Sequence, residues 1–158
     1  HRVVQHASCS TLIVRGDPGA VTHAVLAIEG VEDAARLRGW LSTNRLARSV
    51  SWSVISVVPT PHVGDPTLAY GYAAWTEEME HYAQGQVRET ATALGGIYHI
   101  SSTQVLKGDP ADQIAEAAKD AQLVVIGSHG RRGVERFLLG SVSHAVLHHV
   151  SCPVLVIR

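Results

Sequence analysis

Glycines at positions 127, 130, 133 and 140, followed by Ser141 and Ser143, are spaced to hold an anion. Gly127-Ser-His-Gly130 is followed by nine residues and then by Gly140-Ser141. Ahead of it stands Leu123-Val-Val-Ile126, a short β-branched run of the kind that forms a strand buried on both faces; behind it, 141–150 reads as a helix. Gly127 ends the strand. Gly130 and Gly133 let the backbone turn through conformations closed to other residues, and Gly140-Ser141 opens a helix whose first amides lack partners within it. Those amides, the positive end of the helix dipole and the hydroxyls of Ser141 and Ser143 would converge on one point, with Arg131 and Arg132 nearby. Taken alone, G-x-x-G leaves both a plain turn and a ligand loop open. Arg131 and Arg132 either contact phosphate or flank the loop in solvent, and His129 could add one hydrogen bond.

The rest of the chain must position that loop. Val21 to Glu29 reads as a first strand and Val31 to Asn44 as a helix with Ala34, Ala35, Leu37 and Leu41 inward. Ser51 to Val58 is a second strand; Pro59, Pro61, Gly64 and Pro66 form a loop before a long helix from about Tyr70 to Leu94. Ile97 to Leu106 is a third strand, Pro110 to Asp120 a helix with Ile114, Ala117 and Ala118 inward, and Leu123 to Ile126 and Val154 to Arg158 the last strands. Strands alternating with helices imply an α/β fold: a doubly wound parallel sheet, helices on both faces, ligand at the strands' carboxyl ends where the strand order reverses. Trp40, Trp52 and Trp75 are far apart and suit packing.

The first fifteen residues repeat the last fifteen. His1-Arg-Val-Val-Gln-His-Ala-Ser-Cys-Ser-Thr-Leu-Ile-Val-Arg15 laid over His144-Ala-Val-Leu-His-His-Val-Ser-Cys-Pro-Val-Leu-Val-Ile-Arg158 gives seven identities without a gap, where chance gives about one. The expectation is that 1–15 is the terminal helix and strand of a preceding copy, 16–20 a linker rich in turn residues, and 21–158 one domain, so that the chain is a fragment of a tandem protein. Cys9 and Cys152 hold equivalent places in the repeat. Antiparallel pairing of the strands they begin would keep them beyond bridging reach, which favours packing over a disulfide.

Thirteen Lys and Arg against 14 Asp and Glu leave a formal charge of −1, with no field to draw the chain to nucleic acid or an anionic membrane. No apolar stretch approaches a membrane span, so a cytoplasmic location is expected. His144 and His148 stand at metal-ligand spacing with His149 adjacent, but no acidic or cysteine partner lies at a matching offset; a partly exposed helix face accounts for them. Ser143-His144 is no dyad, since adjacent side chains on a helix do not face one another.

The spacing G-x-x-G-x9-G-S, with its surroundings Leu123–Gly133, Leu138–Ser143 and Ser151–Arg158, and the upstream Val105–Ile114, resembles the ATP-binding signature of the universal stress protein family. The resemblance implies a Rossmann-like sheet of the adenine nucleotide alpha hydrolase type, five parallel strands in the order 3-2-1-4-5, with Glu29, Val57 and Gly127 along one edge. It implies an adenine nucleotide as partner, and ATP, with or without Mg²⁺, as cofactor. The backbone of Val57 would face adenine, Ala27, Ile28 and Glu29 would bound base and ribose, and Gly127, Gly130, Arg131, Gly140, Ser141, Val142 and Ser143 would hold phosphates. The family usually carries Asp followed by Gly-Ser at the end of the first strand, where this chain has Glu29-Gly30-Val31: the carboxylate stands one methylene further out and the hydroxyl is lost. The role implied is regulatory binding in a stress response with little turnover; a slow ATP hydrolase or nucleotidyl transferase on the same sheet, and an interaction module without nucleotide, are the alternatives. The terminal strand of such a domain pairs antiparallel across a two-fold or pseudo-two-fold axis, so Thr11–Arg15 is expected along Val154–Arg158, or a homodimer through the last strand.

Overall fold

The computed structural model describes residues 4, 6–16, 19–47, 49–60, 69–128 and 139–158. Its strands are β1 (Thr11–Ile13), β2 (His23–Ala27), β3 (Ser51–Val58), β4 (His99–Lys107), β5 (Leu123–Gly127) and β6 (Val154–Ile157); its helices are α1 (Gly30–Thr43), α2 (Ala69–Leu94), α3 (Pro110–Ala117) and α4 (Ser141–His149). They form one sheet in the order β1-β6-β5-β2-β3-β4. The five strands β2 to β6 run parallel to their neighbours in the expected order, and β1 adds a sixth, antiparallel to β6.

Alternation along the central strands explains why helices cover both faces. Ala24, Leu26 and Ile28 point into one core with Ala34, Leu37, Leu41, Trp52, Val54, Val87 and Leu94, beneath α1 and α2. Val25 and Ala27 point the other way, into a core built with Ile55, Ile114, Val124, Ile126, Val146 and Val156, beneath α3 and α4. A strand buried on both faces has no polar side, hence the apolar runs in β2, β5 and β6. Trp52 lies against Tyr98 with ring centroids 5.1 Å apart. The Tyr98 hydroxyl donates to the Leu41 carbonyl at 2.9 Å and accepts from the Leu46 amide at 3.1 Å, so this buried phenol is satisfied at both ends of its hydrogen-bonding capacity. At the start of α3, Asp109 accepts from the amides of Ala111 and Asp112 while Pro110 fills a position that needs no donor.

Several expectations are corrected. Strand β2 begins at His23 rather than Val21 and ends at Ala27, and β4 runs from His99 to Lys107; helix α3 stops at Ala117, with Ala117 only half-buried and Ala111 buried in its place. On α1, Ala35 is exposed, and Asp33 lies inward beside Ala34, Leu37 and Leu41. Trp52 is buried and Trp40 packs against its cluster, but Trp75 is 39% exposed and is no core residue. Cys9 and Cys152 are both free thiols, but of the two only Cys152 packs against the core, where partial burial pushes its thiol up, while Cys9 is exposed. Among the described residues no helix is long and apolar enough to cross a membrane.

Pairing of β1 with β6 follows the repeat. Thr11 lies opposite Val156, Leu12 opposite Leu155 and Ile13 opposite Val154. The repeat equates Leu12 with Leu155, so an approximate two-fold axis passes through that pair. Side chains obey the same symmetry. Arg15 donates through Nη2 to the Leu147 carbonyl and through Nη1 to the Val150 carbonyl at 3.1 Å, while Arg158 Nη2 donates to the Val4 carbonyl at 2.7 Å. The repeat equates Arg15 with Arg158 and Val4 with Leu147, so each arginine caps a helix carbonyl of the opposite segment. Within the stretch expected as a linker, Gly16 and Gly19 adopt left-handed φ of 60° and 55°, a conformation that glycine reaches without steric cost.

Candidate functional site

Parallel register brings the expected residues to one edge. Ala27 pairs with Ile55 and Leu26 with Val125, so Glu29 stands level with Val57 and Ile28 level with Gly127 at the carboxyl ends of β2, β3 and β5. Ala27 and Ile28 are buried, Val57 is half-buried and Glu29 is exposed. Glu29 occupies the N-cap of α1 with extended backbone, and its side chain makes no capping hydrogen bond.

Across the edge from Glu29, the chain leaves β5 and returns to almost the same point. Gly127 closes the strand and Ser128 is buried beyond it, its amide donating to the Ile157 carbonyl at 2.8 Å. Gly140, at the N-cap of α4, donates its amide back to the Ser128 carbonyl at 2.8 Å. One turn further on, the buried hydroxyl of Ser143 donates to the Gly127 carbonyl at 2.7 Å. The strand end and the helix start are thereby tied at the base of the loop, with Ser141 exposed and Val142 half-buried at the helix opening. The Ser143 hydroxyl was expected to turn toward the anion. It donates instead to the main chain, because a buried carbonyl at a strand end needs a donor and Ser143 is a side chain within reach. Gly130 and Arg131, with His129, Arg132 and Gly133, lie outside the described residues.

Asp33 was not singled out by sequence reasoning. Its carboxylate is buried, accepting the Glu29 amide through Oδ2 at 3.0 Å and Arg36 Nη2 through Oδ1 at 2.6 Å. Burial raises its carboxyl above the ordinary carboxylate value, against the opposing pull of the Glu29 amide and the Arg36 guanidinium. The signal was present: Asp33, Leu37 and Leu41 stand at i, i+4 and i+8, one stripe of the helix. Asp33 covers Gly127 so closely that a Cβ there would overlap its Oδ1 and stand 2.9 Å from Arg36 Nη2. Gly127→Ala should therefore destabilise the fold by about 1–3 kcal/mol, the usual cost of overpacking. Asp33→Ala in the same chain should recover part of that loss, since it removes the obstructing group. An unchanged denaturation midpoint for Gly127→Ala would contradict this placement of Asp33.

On the outer part of α4 the rings of His144 and His148 lie 4.8 Å apart, and His149 Nδ1 stands 3.2 Å from Asp112 Oδ1. Among the described residues no group of three His, Cys, Asp or Glu side chains is gathered closely enough to hold a metal ion.

Comparison with known proteins places this edge in context. Residues 21–158 match the model of the universal stress protein family. A universal stress protein of Methanocaldococcus jannaschii is 48% identical over 84 residues, covering 52% of this chain and 48% of that protein. The chain spans about half the length of the curated relatives it matches first. Among solved structures, UspA from Lactobacillus plantarum superposes with a TM-score of 0.75 at 21% identity, covering 89% of this chain and 99% of that one. A family protein from Arabidopsis thaliana, solved with AMP bound, gives a TM-score of 0.59 at 16% identity over 86% of this chain and 90% of its own. With the family model spanning five of the six strands and the whole loop-bearing edge, the chain belongs to the universal stress protein family.

Proposed function

We propose that this domain binds an adenine nucleotide, ATP in the first place, with or without Mg²⁺, and serves a regulatory role in a stress response with little turnover of its ligand. The observation that carries the reading is the closure at the loop's base, where the Gly140 amide meets the Ser128 carbonyl and Ser143 meets Gly127. That closure sets the first amides of a nine-residue helix at the carboxyl edge of the sheet, where an anion is favoured. A helix terminus alone supplies at most about 2 kcal/mol, whereas micromolar affinity needs about 8 kcal/mol. The balance falls to the remainder of the edge: Val57 toward adenine, Ala27, Ile28 and Glu29 around base and ribose, and Gly127, Gly130, Arg131, Gly140, Ser141, Val142 and, through its amide, Ser143 around the phosphates. AMP in the Arabidopsis protein of the same fold supports the choice of base.

Low turnover agrees with the chemistry at the loop's base. Asp33, the carboxylate against Gly127, is buried and already engaged by an amide and a guanidinium, so it is badly placed to activate water. The same proposal makes residues 1–15 the closing segment of a like domain, a reading supported by the repeat and by the reciprocal arginine caps. Its soluble, cytoplasmic character belongs to this proposal as well.

A thermal melt with ATP tests the reading. At a hundredfold excess over Kd, a ligand bound only by the folded state adds about 2.7 kcal/mol and raises Tm by several degrees. A Tm unmoved by millimolar ATP and AMP would favour the interaction module without nucleotide.

A further inference from the structure

Helix α1 carries a cation to the beginning of the loop. Side chains on a helix lean toward its N-terminus, and Arg36 reaches back one turn until its Nη2 lies 2.6 Å from Asp33 Oδ1. The same nitrogen stands 2.9 Å from the point that a Cβ on Gly127 would occupy. Gly127 is therefore held on two sides, by the Asp33–Arg36 pair from α1 and by the Ser143 hydroxyl on its carbonyl. The pair is asymmetric in exposure, with the Asp33 side chain 6% accessible and that of Arg36 34%. Asp33 gives its other oxygen to the Glu29 amide, so it meets Arg36 through a single oxygen rather than as a two-pronged fork.

Charge gives this placement a use. A carboxylate against the first glycine of a phosphate loop repels the ligand the loop is built to hold, and a guanidinium beside it cancels that field and adds donors suited to phosphate. We infer that Arg36 is a phosphate-contacting residue of the nucleotide site, held at its post by Asp33, and that the site therefore selects phosphorylated adenosine over the nucleoside. The inference rests on the nucleotide-binding reading given above. It concerns a residue on α1, far in sequence from the glycine loop.

Titration of the full chain with ATP, AMP and adenosine, before and after substitution of Arg36, tests it. Arg36→Ala should weaken ATP and AMP about tenfold or more while leaving adenosine unchanged, because only the phosphate loses a charged donor. Arg36→Gln, which can still donate to Asp33, should lose the same phosphate-dependent affinity, and it serves where the alanine variant does not fold. Arg36→Lys should recover part of the loss, keeping the charge without the planar fork. ATP affinity unchanged in both Arg36→Ala and Arg36→Gln, or ATP and adenosine weakened by the same factor, would overturn the inference and leave the nucleotide reading standing. So would a native chain that binds adenosine as tightly as AMP. A native chain that binds none of the three overturns both.

Discussion

Gly140→Val should abolish nucleotide binding, by a factor of about a hundred or more, in a chain that still folds. Gly140 has φ −60° and ψ 154°, ordinary extended backbone that valine adopts without strain. The hydrogen bond its amide donates to the Ser128 carbonyl uses only the main chain and survives the change. Valine is a poorer N-cap than glycine, so a modest stability cost of about 1 kcal/mol is expected. What the substitution adds is two methyl groups at the N-cap of α4, beside the amides of Ser141, Val142 and Ser143 that a phosphate bound there would approach. Circular dichroism and calorimetric titration separate the two effects. Unaltered ATP affinity in the folded variant would remove the loop from the site. The contrast with Gly127 is instructive, because an added Cβ there meets Asp33 and the loss is one of stability.

Deleting residues 1–15 should cost about 2 kcal/mol and turn the chain into one that self-associates. The deletion removes the ladder between Thr11–Ile13 and Val154–Val156 and both carbonyl caps from Arg15. It also leaves β6, whose sequence is Val-Leu-Val-Ile, as an open sheet edge. Because the repeat makes β1 the counterpart of β6, a second truncated chain offers a replacement, and its β6 would pair with the first about the axis now passing between Leu12 and Leu155. Sedimentation of the truncated chain should show a heavier species than the intact chain at equal concentration. An equal sedimentation coefficient and an unchanged denaturation midpoint would contradict the clasp.

Much of this architecture was legible in the sequence because burial on both faces leaves an unbroken apolar record. Ser51–Val58 was read with the bounds it has, and Leu123–Ile126 and Val154–Arg158 to within a residue. The β1–β6 pairing was legible for a different reason, since a repeated segment carries its own symmetry and needs no propensity argument. Asp33 and Arg36 were not read. An acidic residue in the first turn of a helix usually faces solvent and answers the helix dipole, as the exposed Glu32 does, and only its stripe position relative to Leu37 and Leu41 separates Asp33 from it. The resemblance marks Glu29 as the acid of that turn, whereas the buried carboxylate there belongs to Asp33, which accepts the Glu29 amide. Ser143 was read as a ligand group because its helical position is right. Its hydroxyl goes to Gly127 because the strand's last carbonyl has the stronger claim on a buried donor.

Calorimetric titration of the intact chain with ATP is the most direct measurement of the central claim. One saturable site, with a Kd in the micromolar range and abolished by Gly140→Val, is the predicted result. A titration that yields no binding heat at millimolar ATP or AMP, repeated at a second temperature so that a vanishing enthalpy is not mistaken for no binding, would contradict it.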